Sequence, residues 1–210
     1  GVLEFTDLPH TSPGVLSSAI CMDKVQSKVV FDSLFLNTAK GTSFSRWDYE
    51  NNKEKVVEDV ESKVDYPMIV KPAHLGSSIG INVAKDREDL LFAIDVAVEF
   101  DDKILVEHKL SHFVEVNCAC FRYGGELVVS ETEQPLSKSD FLTFADKYST
   151  GKMSGGGHII PAEIGNLNGQ IKETTKLLYS KLELNGVVRF DYLVDTEREK
   201  IFINEVNTVP

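Results

Sequence analysis

Two short apolar runs near the end of the sequence, GVVRFDYLVD and KIFINEVNTVP, constrain the fold more than any other feature. Both are rich in β-branched and aromatic residues, and the charged segment Asp195–Lys200 joins them, so together they predict a β-hairpin. Side chains alternate across a strand. Arg189 and Asp191 therefore share a face of the first run, and Glu205 and Asn207 share a face of the second. Pairing the runs would gather two carboxylates, an amide and a guanidinium. Oxygen donors of that kind suit Mg²⁺, which is often held by one or two carboxylates plus substrate phosphates. An arginine beside them suits a phosphate or a developing oxyanion. The ordinary alternative is a hairpin with solvated polar positions. The apolar context (Val187, Val188, Phe190, Ile201, Phe202, Ile203) weighs against it, because polar groups embedded in such runs need partners.

At 210 residues and 42% hydrophobic content, the chain can bury a core in one domain or two small ones. Its formal charge of −11 argues against a nucleic-acid-binding surface, though not against a nucleotide held by local lysines and a metal. No run is long and apolar enough to span a membrane, and no signal-peptide pattern opens the chain. Cys118 and Cys120 alternate on a strand-like run and are expected to be buried small hydrophobes. With Cys21 they make neither a zinc spacing nor a CxxC motif, and a reducing, cytoplasmic setting fits. The chain opens on the loop-like GVLEFTDLPHTSPG without an initiating methionine, and it stops at Pro210 directly after a strand. A piece of a longer protein is expected.

Between these ends, residues 15–38 predict a helix, 42–50 a strand and 51–63 a charged helix. YPMIVKP (66–72) is strand-like, AHLGSSIG (73–80) a loop, and INVA a resumed strand. Residues 86–100 predict an amphipathic helix with Asp86 as N-cap. ILVEH (104–108), FVEVNCACFRY (113–123) and ELVVSET (126–132) predict strands, the last two turning at Gly124-Gly125. Residues 134–163 have no clear period, and 166–184 read as helix before the closing hairpin. The pattern is α+β in two halves, dividing near residue 110.

The loop HLGSSIG lies between two strands. Its glycines let backbone N–H groups approach an anion, and Lys71 ends the strand before it. A plain turn is the bland alternative. Gly76-Ser77-Ser78-Ile79-Gly80 also fits the G-x-S-x-G elbow of serine hydrolases, with His108, His112 or His158 as the available histidines. That motif needs a helix next, whereas INVA predicts a strand.

In order along the chain stand LEFTDLPHTSPGVLSSAICMDK, YPMIVKPAHLGSSIGI, ILVEHKL with VEVNC, SETEQP, FADKY, IIPAEI, and RFDYLV with INEVNTVP. This ordered set resembles the ATP-grasp ligases, and within them the D-alanine–D-alanine ligases. The resemblance implies an α+β ATP-grasp fold, with two subdomains whose antiparallel sheets enclose a nucleotide. It divides the chain into 1–24, which follows a missing N-terminal domain, 25–109, a central subdomain, and 110–210, a truncated C-terminal subdomain. It implies phosphorylation of one D-alanine carboxylate by ATP, then attack of a second D-alanine's amine on the acyl phosphate, for peptidoglycan precursor synthesis.

The resemblance also implies residue roles. Lys24 and Lys71 would neutralise the α- and β-phosphates. Glu107, Lys109 and Leu110 would form an edge strand against adenine, and Glu115 would accept the ribose hydroxyls. This sequence departs from the family there, with His112-Phe113 in place of a glycine and one extra residue between the two glutamates. Lys147 would reach the γ-phosphate from a flap that carries three glycines at 155–157. Tyr148 and Ser77 would bond to each other and shape the second D-alanine site, and the Lys147–Tyr148 pair favours an amine acceptor. Asp191, Glu205 and Asn207 would hold two Mg²⁺ (or Mn²⁺) ions, and Arg189 would stabilise the transferred phosphoryl group and the oxyanion. D-alanine and ATP are the implied partners, with a homodimer for the full-length enzyme and neither nucleic acid nor membrane. Another ATP-grasp carboxylate–amine ligase, such as a D-Ala–D-Ser enzyme, and a non-catalytic nucleotide-binding fragment are the alternatives. The fragment alone is expected to be weak or inactive.

Overall fold

A computed structural model describes residues 1–136 and 157–210. In chain order it contains α1 (Val2–Phe5), α2 (Val15–Met22), α3 (Lys24–Ser33), β1 (Gly41–Ser45), α4 (Arg46–Asn51) and α5 (Lys53–Lys63). Then come β2 (Met68–Pro72), β3 (Asn82–Ala84), α6 (Arg87–Val98), β4 (Lys103–His108), β5 (Val114–Tyr123), β6 (Glu126–Val129), β7 (Gln134–Pro135) and β8 (His158–Ile159). Helix α7 (Leu167–Lys181) and the strands β9 (Val188–Asp195) and β10 (Lys200–Asn207) complete it. No helix among the described residues is long and apolar enough to cross a membrane.

Two compact units divide the chain. One comprises Ala39–Ser111 among the described residues, the other Gly1–Thr38 with the described residues from His112 onward. The expected grouping of 25–109 differs, because α3 buries Phe31 in the core of the second of these units.

The Ala39–Ser111 unit is an antiparallel sheet of order β1-β4-β2-β3 with helices on one face. Helix α6 buries Leu90, Ala93, Ile94, Ala97 and Val98, a stripe at helical spacing, and α5 adds Val57 and Val60. They pack with Met68, Val70, Ala84, Ile104 and Val106. Asp86 caps α6 as expected, accepting from Asp89 N. The expected strand 42–50 stops at Ser45, for a physical reason. Ser45 and Asp48 form a capping box, which starts α4.

The other unit is an antiparallel sheet of order β10-β9-β5-β6. Its apolar face carries Val116, Cys118, Cys120, Val188, Phe190, Tyr192, Val194 and Ile203, packed with Ile171, Leu178 and Tyr179 of α7. Inside this core, Thr175 Oγ1 and Tyr192 Oη share a 2.7 Å hydrogen bond. The two strand cysteines are buried and free, and burial pushes the Cys120 thiol up to about 11. The single helix expected over 15–38 is broken at Asp23. That carboxylate accepts from Val25 N and Gln26 N at 2.9 and 3.1 Å, ending α2 and capping α3.

Candidate functional site

The closing hairpin pairs as the alternation predicts. Asp191 stands opposite Glu205, and Arg189 opposite Asn207. Directly opposed residues share a face, so all four project from the side away from Phe190, Tyr192 and Val206. A β-bulge between Ile203 and Glu205 makes this possible, with Asn204 as the extra residue. Arg189 Nε donates to Asp191 Oδ1 at 2.7 Å and Nη2 to Oδ2 at 3.0 Å. Asn207 Nδ2 donates to Asp191 Oδ2 at 2.9 Å. Burial raises the pKa of Asp191, and the Arg189 hydrogen bonds offset that only in part. The same pairing raises the pKa of Arg189.

The register extends this face across the sheet. Asn117 of β5 is the other neighbour of Asp191, and Glu133 bridges to Asn117 through backbone bonds of 2.7 and 2.9 Å. Glu133, Asn117, Asp191 and Glu205 therefore form one polar row. His158 Nδ1 lies 2.5 Å from Glu133 Oε1. Sequence reasoning missed Asn117 and Glu133, and named His158 only as a histidine available to a hydrolase triad, not as the partner of Glu133. The period-2 step from Glu115 could have found Asn117, but nothing local couples Glu133 to His158.

Like charges opposed on paired strands are destabilising. Asp191 faces Glu205, with Glu133 acting on the same arginine, and Arg189 offsets one charge of the group. The donor set is two carboxylates and an amide, which fits a hard cation completed by substrate phosphates. Among the described residues, no group of three or more His, Cys, Asp or Glu is placed to hold a metal by itself.

Elsewhere in the same unit, Glu115 is exposed at the start of β5, opposite Leu193. Lys24 is the first residue of α3 and half-buried. A cation at that end opposes the helix dipole, so an anionic partner there would be stabilising.

In the Ala39–Ser111 unit, Lys71 and Glu107 form a buried ion pair, 8% and 5% exposed. A Cβ at Gly41 would lie 2.7 Å from the Val106 carbonyl oxygen and 2.9 Å from Glu107 Cγ, so only glycine leaves Glu107 this room. The edge-strand expectation is corrected. β4 is central, between β1 and β2, because both neighbours pair with it fully. The backbone leaves the ladder only at Lys109, whose N–H bonds Pro67 O, and Leu110 lies beyond. Ser77 and Ser78 occupy the loop after β2 with φ of 55° and 61°. A strand, β3, follows that loop, which is not the helix a nucleophile elbow requires. Lys147 and Tyr148, with most of the expected flap, lie outside the described residues.

Comparison with known proteins identifies the family. The family profile described as "D-ala D-ala ligase C-terminus" matches residues 30–210. D-alanine–D-alanine ligases of Thermosipho africanus and Bacillus cytotoxicus are 39% and 40% identical to the chain. Each match covers 100% of this chain, and 56% and 57% of the respective relative. The chain thus spans a little over half the length of these curated relatives. The crystal structure of the VanG D-Ala:D-Ser ligase from Enterococcus faecalis aligns with a TM-score of 0.82 at 30% identity, over 100% of this chain and 59% of that one. The D-alanine–D-alanine ligase from Helicobacter pylori aligns with a TM-score of 0.78 at 25% identity, over 99% and 57%. The fold is the α+β ATP-grasp architecture, and the chain belongs to the D-alanine–D-alanine ligase family, to the C-terminal part that its profile describes.

Proposed function

We propose that this chain carries the nucleotide and metal machinery of an ATP-dependent, ADP-forming D-alanine–D-alanine ligase, a cytoplasmic enzyme of peptidoglycan precursor synthesis. The observation that carries the reading is the Arg189, Asp191, Glu205 and Asn207 cluster on the β9–β10 face. Asp191, Glu205 and Asn207 hold the cation or pair of cations, Mg²⁺ or Mn²⁺. Such ions, when bound, neutralise charge that develops on the phosphates during phosphoryl transfer. Arg189 holds the transferred phosphoryl group in line and then stabilises the oxyanion formed when the second amine attacks. Lys24 and Lys147 pair with phosphate oxygens as compact point charges, as does Lys71, which Glu107 fixes in place. Glu115 accepts the ribose hydroxyls, and Lys109 and Leu110 present backbone groups to the adenine just past the end of β4. The glycine-rich loop of Ser77 receives the phosphates of the nucleotide through its backbone N–H groups, and Ser77 with Tyr148 shapes the acceptor site.

The reaction balances without a further reactant. The first D-alanine's carboxylate oxygen takes the γ-phosphoryl group and ADP leaves. The second amine then attacks the acyl carbon, loses a proton, and displaces phosphate. Removing one oxyanion donor typically raises the barrier by about 2.7–4 kcal/mol. In the full-length protein, Arg189→Ala is expected to keep Mg·ATP binding and to lose most D-alanine-dependent phosphate release. Near-normal release would refute the assignment. The likeness to VanG favours a second reading, in which D-serine is the acceptor. Offering D-alanine, D-serine and D-lactate together and weighing the products separates the two.

A further inference from the structure

One turn, residues 100–103, holds the start of the glycine-rich loop and lies beside its far end. At the start of the loop, Ala73 N donates to Lys103 O at 2.9 Å. His74 N donates to Asp101 Oδ2 at 2.8 Å, and His74 Nδ1 lies 3.0 and 3.1 Å from Asp101 Oδ1 and Oδ2. The same carboxylate accepts from Lys103 N at 3.2 Å. Its side chain is 8% exposed, whereas that of His74 is 43% exposed. At the far end, Gly80 (φ +69°) packs close to Pro72 and Phe100, and a Cβ there would lie 2.8 Å from Pro72 Cγ and 3.0 Å from Phe100 Cδ2. The turn is itself anchored. Phe100 N and Asp101 N bond Ala97 O, and Arg46 N bonds Asp102 O at 2.8 Å.

Between these two ends, Ser77 and Ser78 both sit in the left-handed region. Non-glycine residues there are strained by about 1–2 kcal/mol each, and persist where the surroundings over-determine them. The restraint is visible in the hydrogen bonds of Ala73 and His74 at the start of the loop, with close packing at Gly80 at its end. Burial works against ionisation of Asp101, yet the hydrogen bonds from His74 and the two backbone N–H groups hold its pKa below the usual carboxylate value.

We propose that Asp101 is a positioning residue for the glycine-rich loop, fixing its start through His74 so that Ser77 and Ser78 keep the backbone conformation that receives the nucleotide. The nucleotide part of this proposal rests on the reading given under Proposed function. Neither residue was singled out by the sequence, because Asp101 follows the amphipathic helix α6 in a short acidic turn where a solvated carboxylate is ordinary.

The test uses Asp101→Asn, which keeps the volume and loses the charge, and His74→Ala, a milder change at a solvent-facing side chain. Hydrogen exchange of amides 75–81 is followed by mass spectrometry alongside the Kd for Mg·ATP. In Asp101→Asn, loop exchange is expected to rise about tenfold and the Kd about tenfold, the factor one charge-assisted hydrogen bond commands. His74→Ala should move both by about threefold, since the backbone N–H bond to Asp101 remains. Exchange in β2, β4 and α6 should stay at wild-type values in His74→Ala, which separates loop positioning from general loosening. Unchanged loop exchange in both variants overturns the proposal. Faster loop exchange with an unchanged Kd upholds the clasp and overturns the nucleotide-binding reading of the loop.

Discussion

Arg189 donates to both oxygens of Asp191, through bonds of 2.7 and 3.0 Å. A cation that takes those lone pairs must displace the guanidinium. Hydrogen bonds to charged groups contribute roughly 1.5–3 kcal/mol. The Arg189 side chain is 36% exposed and that of Asp191 17%, so solvent screens the pair and the low end of the range applies. Surrendering about 1.5 kcal/mol on binding weakens cation affinity about tenfold. Arg189→Met is therefore expected to bind Mn²⁺ about tenfold more tightly than the wild type, measured by the EPR signal of free Mn²⁺ with no nucleotide present. Arg189→Lys keeps the charge but cannot fork across a carboxylate, so its affinity should fall between. Asp191→Asn, run in parallel, establishes that the ion counted is the one at the hairpin. Mn²⁺ affinity that depends on Asp191 yet stays unchanged or weakens in Arg189→Met would refute the reasoning.

Two further outcomes follow from local geometry. Gly186 has φ +68°, and a Cβ on it would fall 1.4 Å from Thr11 O and 2.3 Å from Thr11 C. Gly186→Ala should therefore cost on the order of 3 kcal/mol or more in a urea titration, because the Thr11–Ser12 backbone must move, and a loss under about 1 kcal/mol would show that this contact is slack. Asp101 has its folded pKa lowered, so its contribution to stability is present above the unfolded value of about 3.9 and is lost as pH falls through that value toward the lower folded one. Asp101→Asn should flatten that part of the acid limb when urea stability is compared near neutrality and at about pH 3. An acid limb identical to wild type would contradict the clasp.

Local periodicity made much of the fold legible. The α6 stripe, the Asp86 cap, the Gly124-Gly125 turn and the closing hairpin all follow from rules that act within a few residues. Legibility failed where one polar side chain overrode a continuing pattern. Asp23 interrupts apolar helical spacing that runs on across it, and Ser45 with Asp48 converts an apparent strand into a helix start. It failed again where a partner is distant in sequence. Nothing near Lys71 announces Glu107, and nothing near Glu133 announces His158. Sheet order is non-local for the same reason: the edge strand that the resemblance implied for Glu107–Leu110 begins in β4, which is central.

The hairpin itself contains a contradiction that alternation alone leaves standing. Strict period 2 along β10 puts Ile201, Ile203, Glu205 and Asn207 on one face, with two charge-bearing or polar groups directed into the apolar side. The chain resolves this with a single residue. Asn204 is extra, so Ile203 stays opposite Tyr192 while Glu205 comes opposite Asp191, and the phase of the strand inverts between them. The inversion also returns Val206 to the core, opposite Phe190. Without the bulge, satisfying the core would carry Glu205 and Asn207 in with Ile203, and satisfying the carboxylate row would expose Ile201 and Ile203. Bulges recur beside active sites because they re-aim side chains without changing the ladder on either side. Here the bulge lets one eight-residue strand serve an apolar core in its first half and a charged site in its second.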